Sequence, residues 1–136
     1  MYYDTSLKEY GDQYRKMTKK VLVIDDSPFV FKAVSKALEG SDYEAVDNAL
    51  NGQMGVEKYN TLKPDVITLD VTMPVMDGLE TARELVKIDP DVKIIMLSAM
   101  GDEVLLNEAR EIGVKYFLTK PFKPEGLIGK LTEIFG

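Results

Sequence analysis

Residues 64–78 read PDVITLDVTMPVMDG, and the architecture of the whole chain can be worked out from them. The apolar, β-branched run at residues 66–69 is typical of a buried strand. It stops at a charged residue, Asp70, and Pro74 then blocks a regular continuation before a helical pattern begins near Asp77. A carboxylate at the tip of a buried strand, outside any helix cap, contributes little to stability alone. Asp70 therefore either ends the strand by hydrogen-bonding nearby amides or takes part in chemistry.

The alternation of a short apolar strand with an amphipathic helix occurs five times along the chain. Predicted strands cover residues 21–24, 43–47, 66–69, 92–97 and 114–119, and predicted helices cover 28–39, 52–60, 77–88, 102–112 and 124–135. The second strand is partly polar, which favours an edge position. Strands that alternate with helices form a parallel sheet covered on both faces. The predicted fold class is therefore α/β, with a doubly wound five-stranded parallel sheet and five helices.

Composition excludes several kinds of functional site. The 136 residues suffice for one domain, and they include no cysteine and no histidine. Disulfides, thiolate or histidine metal sites, cysteine nucleophiles and histidine acid–base catalysis are thereby excluded. Any bound metal must use oxygen ligands, which points to Mg²⁺. The net charge of −6 without a basic stripe argues against direct nucleic-acid binding. The sequence has no long apolar run and no signal segment, which predicts a cytoplasmic location without membrane contact.

The chain is expected to divide into an N-terminal extension, residues 1–18, and a domain, residues 19–136. An amphipathic stripe at helical spacing runs through the extension, formed by Tyr3, Leu7, Tyr10 and Tyr14. Gly11 weakens this pattern. Two interpretations stay open: a frayed or cloning-derived tail, and a short helix that packs against the domain or against a second copy.

Polar side chains follow the predicted central strands where each strand ends. They are Asp25, Asp26, Asp70, Ser98 and Lys120. In doubly wound folds, ligands bind beyond the carboxyl ends of the strands. Three carboxylates in one pocket repel each other; Lys120 supplies one positive charge, and one Mg²⁺ would bring the sum to zero. Without His, Cys or a second base, the remaining nucleophile is a carboxylate, which indicates aspartyl-phosphate chemistry. Taken singly, each residue also has a structural explanation as a helix cap, a turn residue or a surface lysine.

In this order and spacing, the motifs resemble the receiver domain of two-component response regulators, of the single-domain chemotaxis type. The resemblance covers residues 19–136. It rests on Asp25-Asp26 after an apolar strand, on residues 69–78, on Ser98-Ala99 and on residues 117–122. It implies a flavodoxin-like sheet with strand order 2-1-3-4-5.

The resemblance also implies a role for each site residue. Asp70 would be the phosphoacceptor. Asp26 and Asp70 would ligate Mg²⁺ directly, together with the backbone carbonyl of Thr72, while Asp25 would act through water.

Two further roles concern the last strand and the loop after it. Lys120 would contact the phosphoryl group and precede a cis bond to Pro121. Ser98 and Phe117 would be the switch pair. Both depart mildly from the family pattern, because Ser98 replaces the commoner Thr and Phe117 has no hydroxyl group.

The implied partners are a sensor histidine kinase or phosphotransfer domain as donor, and a downstream protein target. The donor would dock beside the site on Ser27, Phe29, Val30, Pro121 and Phe122. The output surface would be formed by the fourth helix, fifth strand and fifth helix; a homodimer would use that surface or the N-terminal extension. The chain would catalyse only its own phosphorylation and slow dephosphorylation, and so would not be an enzyme in the usual sense.

Three other kinds of protein are alternatives to this interpretation. A flavodoxin-like redox protein needs a phosphate loop after the first strand, where the acidic sequence at residues 25–29 repels a flavin phosphate. An aspartyl-nucleophile phosphohydrolase needs a second acid two residues after the nucleophile, where this chain has Thr72. A degenerate receiver that acts only as an interaction module would not need the complete set of site residues.

Overall fold

The computed structural model describes residues 18–73 and 75–136. The amphipathic helix predicted within the N-terminal extension lies outside the described residues, so that helix, its packing and the proposed division at residue 18 stay predictions.

Five strands and five helices alternate along the described chain. The strands are β1 (Lys19–Ile24), β2 (Tyr43–Ala49), β3 (Val66–Asp70), β4 (Ile94–Ser98) and β5 (Tyr116–Thr119). The helices are α1 (Pro28–Leu38), α2 (Gly52–Leu62), α3 (Gly78–Ile88), α4 (Glu103–Ile112) and α5 (Pro124–Phe135). All strand pairs are parallel, in the order β2-β1-β3-β4-β5, which confirms the predicted fold class. None of these helices has the length and apolar character needed to span a membrane.

Each face of the sheet buries its own apolar cluster. One cluster lies under α2, α3 and α4 and includes Leu22, Ile24, Ile67, Leu69 and Met96. The other lies under α1 and α5 and includes Val21, Val23, Val66, Ile95 and Leu97. Central strands that bury both faces must be apolar at nearly every position, which explains why their sequences do not alternate. The central strand β3 is buried along its whole length, so its last residue, Asp70, is shielded from solvent.

Hydrogen bonds in the connecting loops explain where the predicted boundaries differ. β4 begins two residues later than predicted, because the Val92 N–H donates to the Asp89 carbonyl in a turn (3.0 Å). β5 also begins two residues late, because the Val114 N–H closes the end of α4 on the Ala109 carbonyl (3.0 Å). β1, β2 and α2 are each two residues longer than predicted, and α2 ends at Lys63 in the left-handed conformation (φ 47°).

Thr68, in the middle of β3, is fully buried, and its hydroxyl finds no hydrogen-bond partner among the described residues. Its neighbours across the sheet are Val23 and Ile95. An unpaired buried hydroxyl costs about 1–3 kcal/mol. We therefore expect Thr68→Val, which keeps the shape and favours a strand, to raise the free energy of unfolding by about 1 kcal/mol in urea titrations.

The matched control is Thr81→Val in α3. Thr81 is equally buried, but its hydroxyl donates to the Asp77 carbonyl at 2.7 Å. This substitution should lower stability by about 1 kcal/mol, because it removes that hydrogen bond, and the Asp77 carbonyl then keeps only its bond from the Thr81 N–H (2.9 Å). Equal effects at the two positions would show that the Thr68 hydroxyl has a partner.

Candidate functional site

The carboxyl ends of the parallel strands bring the predicted site residues to one edge of the sheet. Asp25 and Asp26 follow β1, Asp70 ends β3, Ser98 ends β4, and Lys120 follows β5. In a parallel sheet all carboxyl ends share one edge, so residues far apart in sequence converge there.

Three carboxylates form the centre of this edge. Asp25, Asp26 and Asp70 each place one oxygen within 4.8 Å of the others. Asp25 is fully buried and Asp70 is 7% exposed, whereas Asp26 is exposed. Two buried negative charges with a third beside them are unstable together unless positive charge is supplied.

Lys120 supplies part of that positive charge. Its Nζ lies 3.0 Å from Asp25 Oδ2 and 3.5 Å from Asp70 Oδ1. The other oxygen of Asp25 accepts a hydrogen bond from the Ser27 backbone N–H at 2.9 Å. Both oxygens of Asp25 are therefore engaged by the protein. Within the described residues, Asp70 has only a longer contact with Lys120 and a 3.3 Å hydrogen bond from the Thr72 N–H.

The charge balance of the cluster shifts the pKa values of Asp70 and Lys120. Burial, followed by repulsion from Asp25, raises the pKa of Asp70 from 3.8 to about 6, although Lys120 and the Thr72 N–H act in the opposite direction. Burial also lowers the pKa of Lys120, but its hydrogen bonds and attraction to Asp25 and Asp70 outweigh burial, and the net pKa is raised. Lys120 thus stays protonated, and the cluster is still short of positive charge. A set of carboxylate oxygens with this deficit suits Mg²⁺.

The turn after Asp70 is closed by a glycine. The Gly78 N–H donates to the Val71 carbonyl at 3.1 Å, and Asp77 caps α3 by accepting from the Glu80 N–H at 2.9 Å. A Cβ at Gly78 would lie 2.6 Å from Val71 Cα and would also collide with the Asp70 carbonyl oxygen. The start of α3 therefore rests directly on the backbone that carries Asp70.

The loops after β4 and β5 are joined to each other and to their own helices. The Lys120 N–H donates to the Ser98 carbonyl at 2.7 Å, and the Lys120–Pro121 bond is cis, as the resemblance implied. The Asp102 carboxylate accepts from the Ala99 N–H at 2.9 Å and makes no cap bond to α4. The sequence predicted Asp102 only as the start of a helix; an Asp four residues after the end of β4 was the available signal for this loop contact.

The two predicted switch residues lie on the same face of the sheet. Phe117 pairs with Met96 across β4 and β5, and Ser98 follows Met96 by two residues, the period at which side chains return to one face. Ser98 is buried and Phe117 is half-buried. The guanidinium carbon of Arg110 lies 4.7 Å from the centre of the Phe117 ring. No sequence signal could have found this contact, because it depends on how α4 packs beside β5.

Four of the five predicted docking residues, all except Ser27, line one cavity beside the site. A shallow cavity of about 340 Å³ is lined by Phe29, Val30, Ala33, Lys120, Pro121 and Phe122. Phe29 is 74% exposed and Phe122 is half-buried, so the α1 side of this cavity presents a largely exposed aromatic ring to solvent.

Comparison with known proteins is consistent with this geometry. Residues 21–132 match the family described as the response regulator receiver domain. The chain is 42% identical to the chemotaxis protein CheY of Thermotoga maritima over 118 residues, which cover 87% of this chain and 98% of that protein. It is 38% identical to Bacillus subtilis CheY over 117 residues, which cover 86% and 98% of the two chains.

A solved structure agrees in both fold and sequence. It is the crystal structure of the CheX–CheY–BeF3–Mg complex from Borrelia burgdorferi, which matches with a TM-score of 0.81 and 31% identity over 87% of this chain and 90% of that one. The family match spans most of the chain, and the relatives align over nearly their full length. The resemblance seen in the motifs is therefore confirmed: the chain belongs to the response regulator receiver domain family, and it is of the CheY type.

Proposed function

We propose that this receiver domain works in a phosphorelay by accepting a phosphoryl group on Asp70 from a histidine kinase or a phosphotransfer protein. The observation that carries the proposal is the cluster of Asp25, Asp26 and Asp70, with Lys120 bridging two of its members. Asp70 is the buried member whose oxygens are least engaged by the protein, which favours it as the nucleophile.

The transfer is a displacement at phosphorus. An oxygen of the ionised Asp70 carboxylate forms the new O–P bond as the N–P bond of the donor's phosphorylated imidazole breaks, and the electron pair of that bond goes to the ring nitrogen. With its pKa at about 6, Asp70 is mostly ionised at pH 7. Lys120 Nζ offsets charge on the phosphoryl oxygens, and the Ser98 hydroxyl donates to one of them.

The residues present fit a Mg²⁺ ion. Asp26, Asp70 and the Thr72 carbonyl would hold it directly. Asp25 would act through water, because its two oxygens already accept from Lys120 and from the Ser27 N–H. When bound, the ion neutralises charge on the carboxylates and on the transferring phosphoryl group.

The surroundings of the site suggest how partners would use it. The donor would dock on the cavity beside α1, where Phe29 is exposed within reach of the site. The output would be read on the surface formed by α4, β5 and α5, which carries the half-buried Phe117. On this proposal the chain catalyses only its own phosphorylation and slow dephosphorylation, and it signals by binding a downstream protein.

The test is incubation with a small acyl-phosphate donor and Mg²⁺, followed by intact mass measurement. We expect one added phosphoryl group per chain and none in Asp70→Asn, which lacks the nucleophile. Asp91→Asn, an exposed position in the turn before β4, should label as the parent does. If Asp70→Asn labels as well as the parent, Asp70 is not the acceptor.

A further inference from the structure

Arg110 covers the ring of Phe117 and is itself held in place. Its guanidinium carbon lies 4.7 Å from the ring centre, and its Nη1 donates to Asn107 Oδ1 at 2.7 Å. Asn107 and Arg110 are three residues apart on α4 and therefore neighbours on one side of that helix. The guanidinium is thus fixed to α4, while the ring belongs to β5.

Phe117 lies on the sheet face where a movement of the Ser98 side chain would change the space available to its ring. The ring packs against the buried cluster under α2, α3 and α4 but keeps part of its surface exposed. Ser98 lies on the same sheet face, two residues beyond the strand partner of Phe117. A Ser98 hydroxyl drawn toward a phosphoryl group on Asp70 would leave space on this face, and a ring moving into it would bury more apolar area.

We propose that Arg110 is a positioning residue that holds Phe117 in its half-buried orientation and thereby weakens phosphoryl binding at Asp70. This inference rests on the proposed function. A ring that moves inward leaves a guanidinium anchored to Asn107, so the cation–π contact belongs to one of the two ring positions only. Whatever stabilises that position must oppose, by the same free energy, a ligand that favours the other.

The sign of the expected effect separates this mechanism from simple charge. The free energy of a cation–π contact at an exposed site is small, and it corresponds to a change of about two- to fivefold in affinity. Arg110→Gln should therefore bind the phosphoryl mimic beryllofluoride, in the presence of Mg²⁺, about two- to fivefold more tightly than the parent. Loss of a positive charge alone would weaken the binding of an anion.

The experiment is a titration of the full chain with beryllofluoride at fixed Mg²⁺, followed by amide and aromatic resonances. Arg83→Gln is the control for net charge, because Arg83 is an exposed arginine on α3; its affinity should be equal to that of the parent or slightly lower. Asn107→Ala, which removes the anchor, should change affinity in the same direction as Arg110→Gln but less. In a Phe117→Leu background, which has no aromatic ring, Arg110→Gln should have no further effect.

Each result decides the matter. Tighter binding in Arg110→Gln that disappears in the Phe117→Leu background, together with a shift of the Phe117 ring resonances before any ligand is added, supports the inference. The inference is overturned if Arg110→Gln binds beryllofluoride no more tightly than Arg83→Gln does. It is also overturned if Arg110→Gln still raises affinity in the Phe117→Leu background. Should the parent show no beryllofluoride binding that depends on Asp70, the proposed function fails and this inference fails with it.

Discussion

Asp70→Asn is expected to raise the free energy of unfolding of the metal-free protein by about 2–3 kcal/mol at pH 7. The reason is the uncompensated charge of the cluster. Asp70 is buried beside the equally buried Asp25, and Lys120 lies closer to Asp25 than to Asp70. A neutral amide of the same shape removes the repulsion and leaves the pair of Lys120 and Asp25 in place.

The pH dependence of this difference has a definite direction. The pKa of Asp70 rises from 3.8 to about 6 on folding, so the fold favours the protonated carboxyl group. The stability linked to that proton is fully present below pH 3.8 and is lost as the pH rises through 6. The difference in free energy of unfolding between Asp70→Asn and the parent should therefore be close to zero below pH 3.8. It should grow between pH 3.8 and pH 6 and stay constant at higher pH.

The measurement is urea denaturation with EDTA across this pH range. Asp91→Asn, which removes the same charge at an exposed position, should change stability by less than about 0.5 kcal/mol. Saturating Mg²⁺ should reduce the difference in free energy of unfolding between Asp70→Asn and the parent, because an ion that binds the native carboxylates stabilises the parent by mass action. If Asp70→Asn and Asp91→Asn unfold alike in EDTA at pH 7, the cluster carries no net repulsion.

Gly78→Ala is expected to lower the free energy of unfolding by about 2–3 kcal/mol and to reduce phosphoryl labelling of Asp70. The added methyl group would collide with the Asp70 carbonyl oxygen and with Val71 Cα, which are backbone atoms and cannot rotate away. Relief requires α3 to move off the end of β3. That movement shifts the residue proposed as phosphoacceptor relative to Lys120.

Gly129→Ala in α5 provides the matched control. Gly129 is exposed within the helix, and a Cβ there meets no atom within 4 Å. Alanine at such a position should stabilise the protein by about 0.5–1 kcal/mol and leave labelling unchanged. Denaturation curves and intact masses of the two variants measure both effects; Gly78→Ala with the stability and labelling of the parent would show that α3 has room to move.

The architecture could be predicted from the chain because its signals are local. Apolar runs such as residues 66–69 and helical periodicity between them specify strands and helices, and the rules for parallel sheets then place the strand ends on one edge. The same rules predict that Asp25, Asp70, Ser98 and Lys120 lie at that edge. The absence of histidine and cysteine is a property of composition, and it alone reduced the chemistry to oxygen ligands.

Tertiary structure decided which of these groups face each other and how closely. The Lys120 ammonium lies closer to Asp25, 95 positions away along the chain, than to Asp70. The sequence around these residues does not predict which carboxylate is the closer one. The stacking of Arg110 on Phe117 likewise depends on the position of α4 relative to β5. Periodicity says which side of an element is buried, but distances of 3–5 Å between side chains depend on how whole elements pack. Those distances determine the charge balance of the site and the ring contact on which the proposed switch depends.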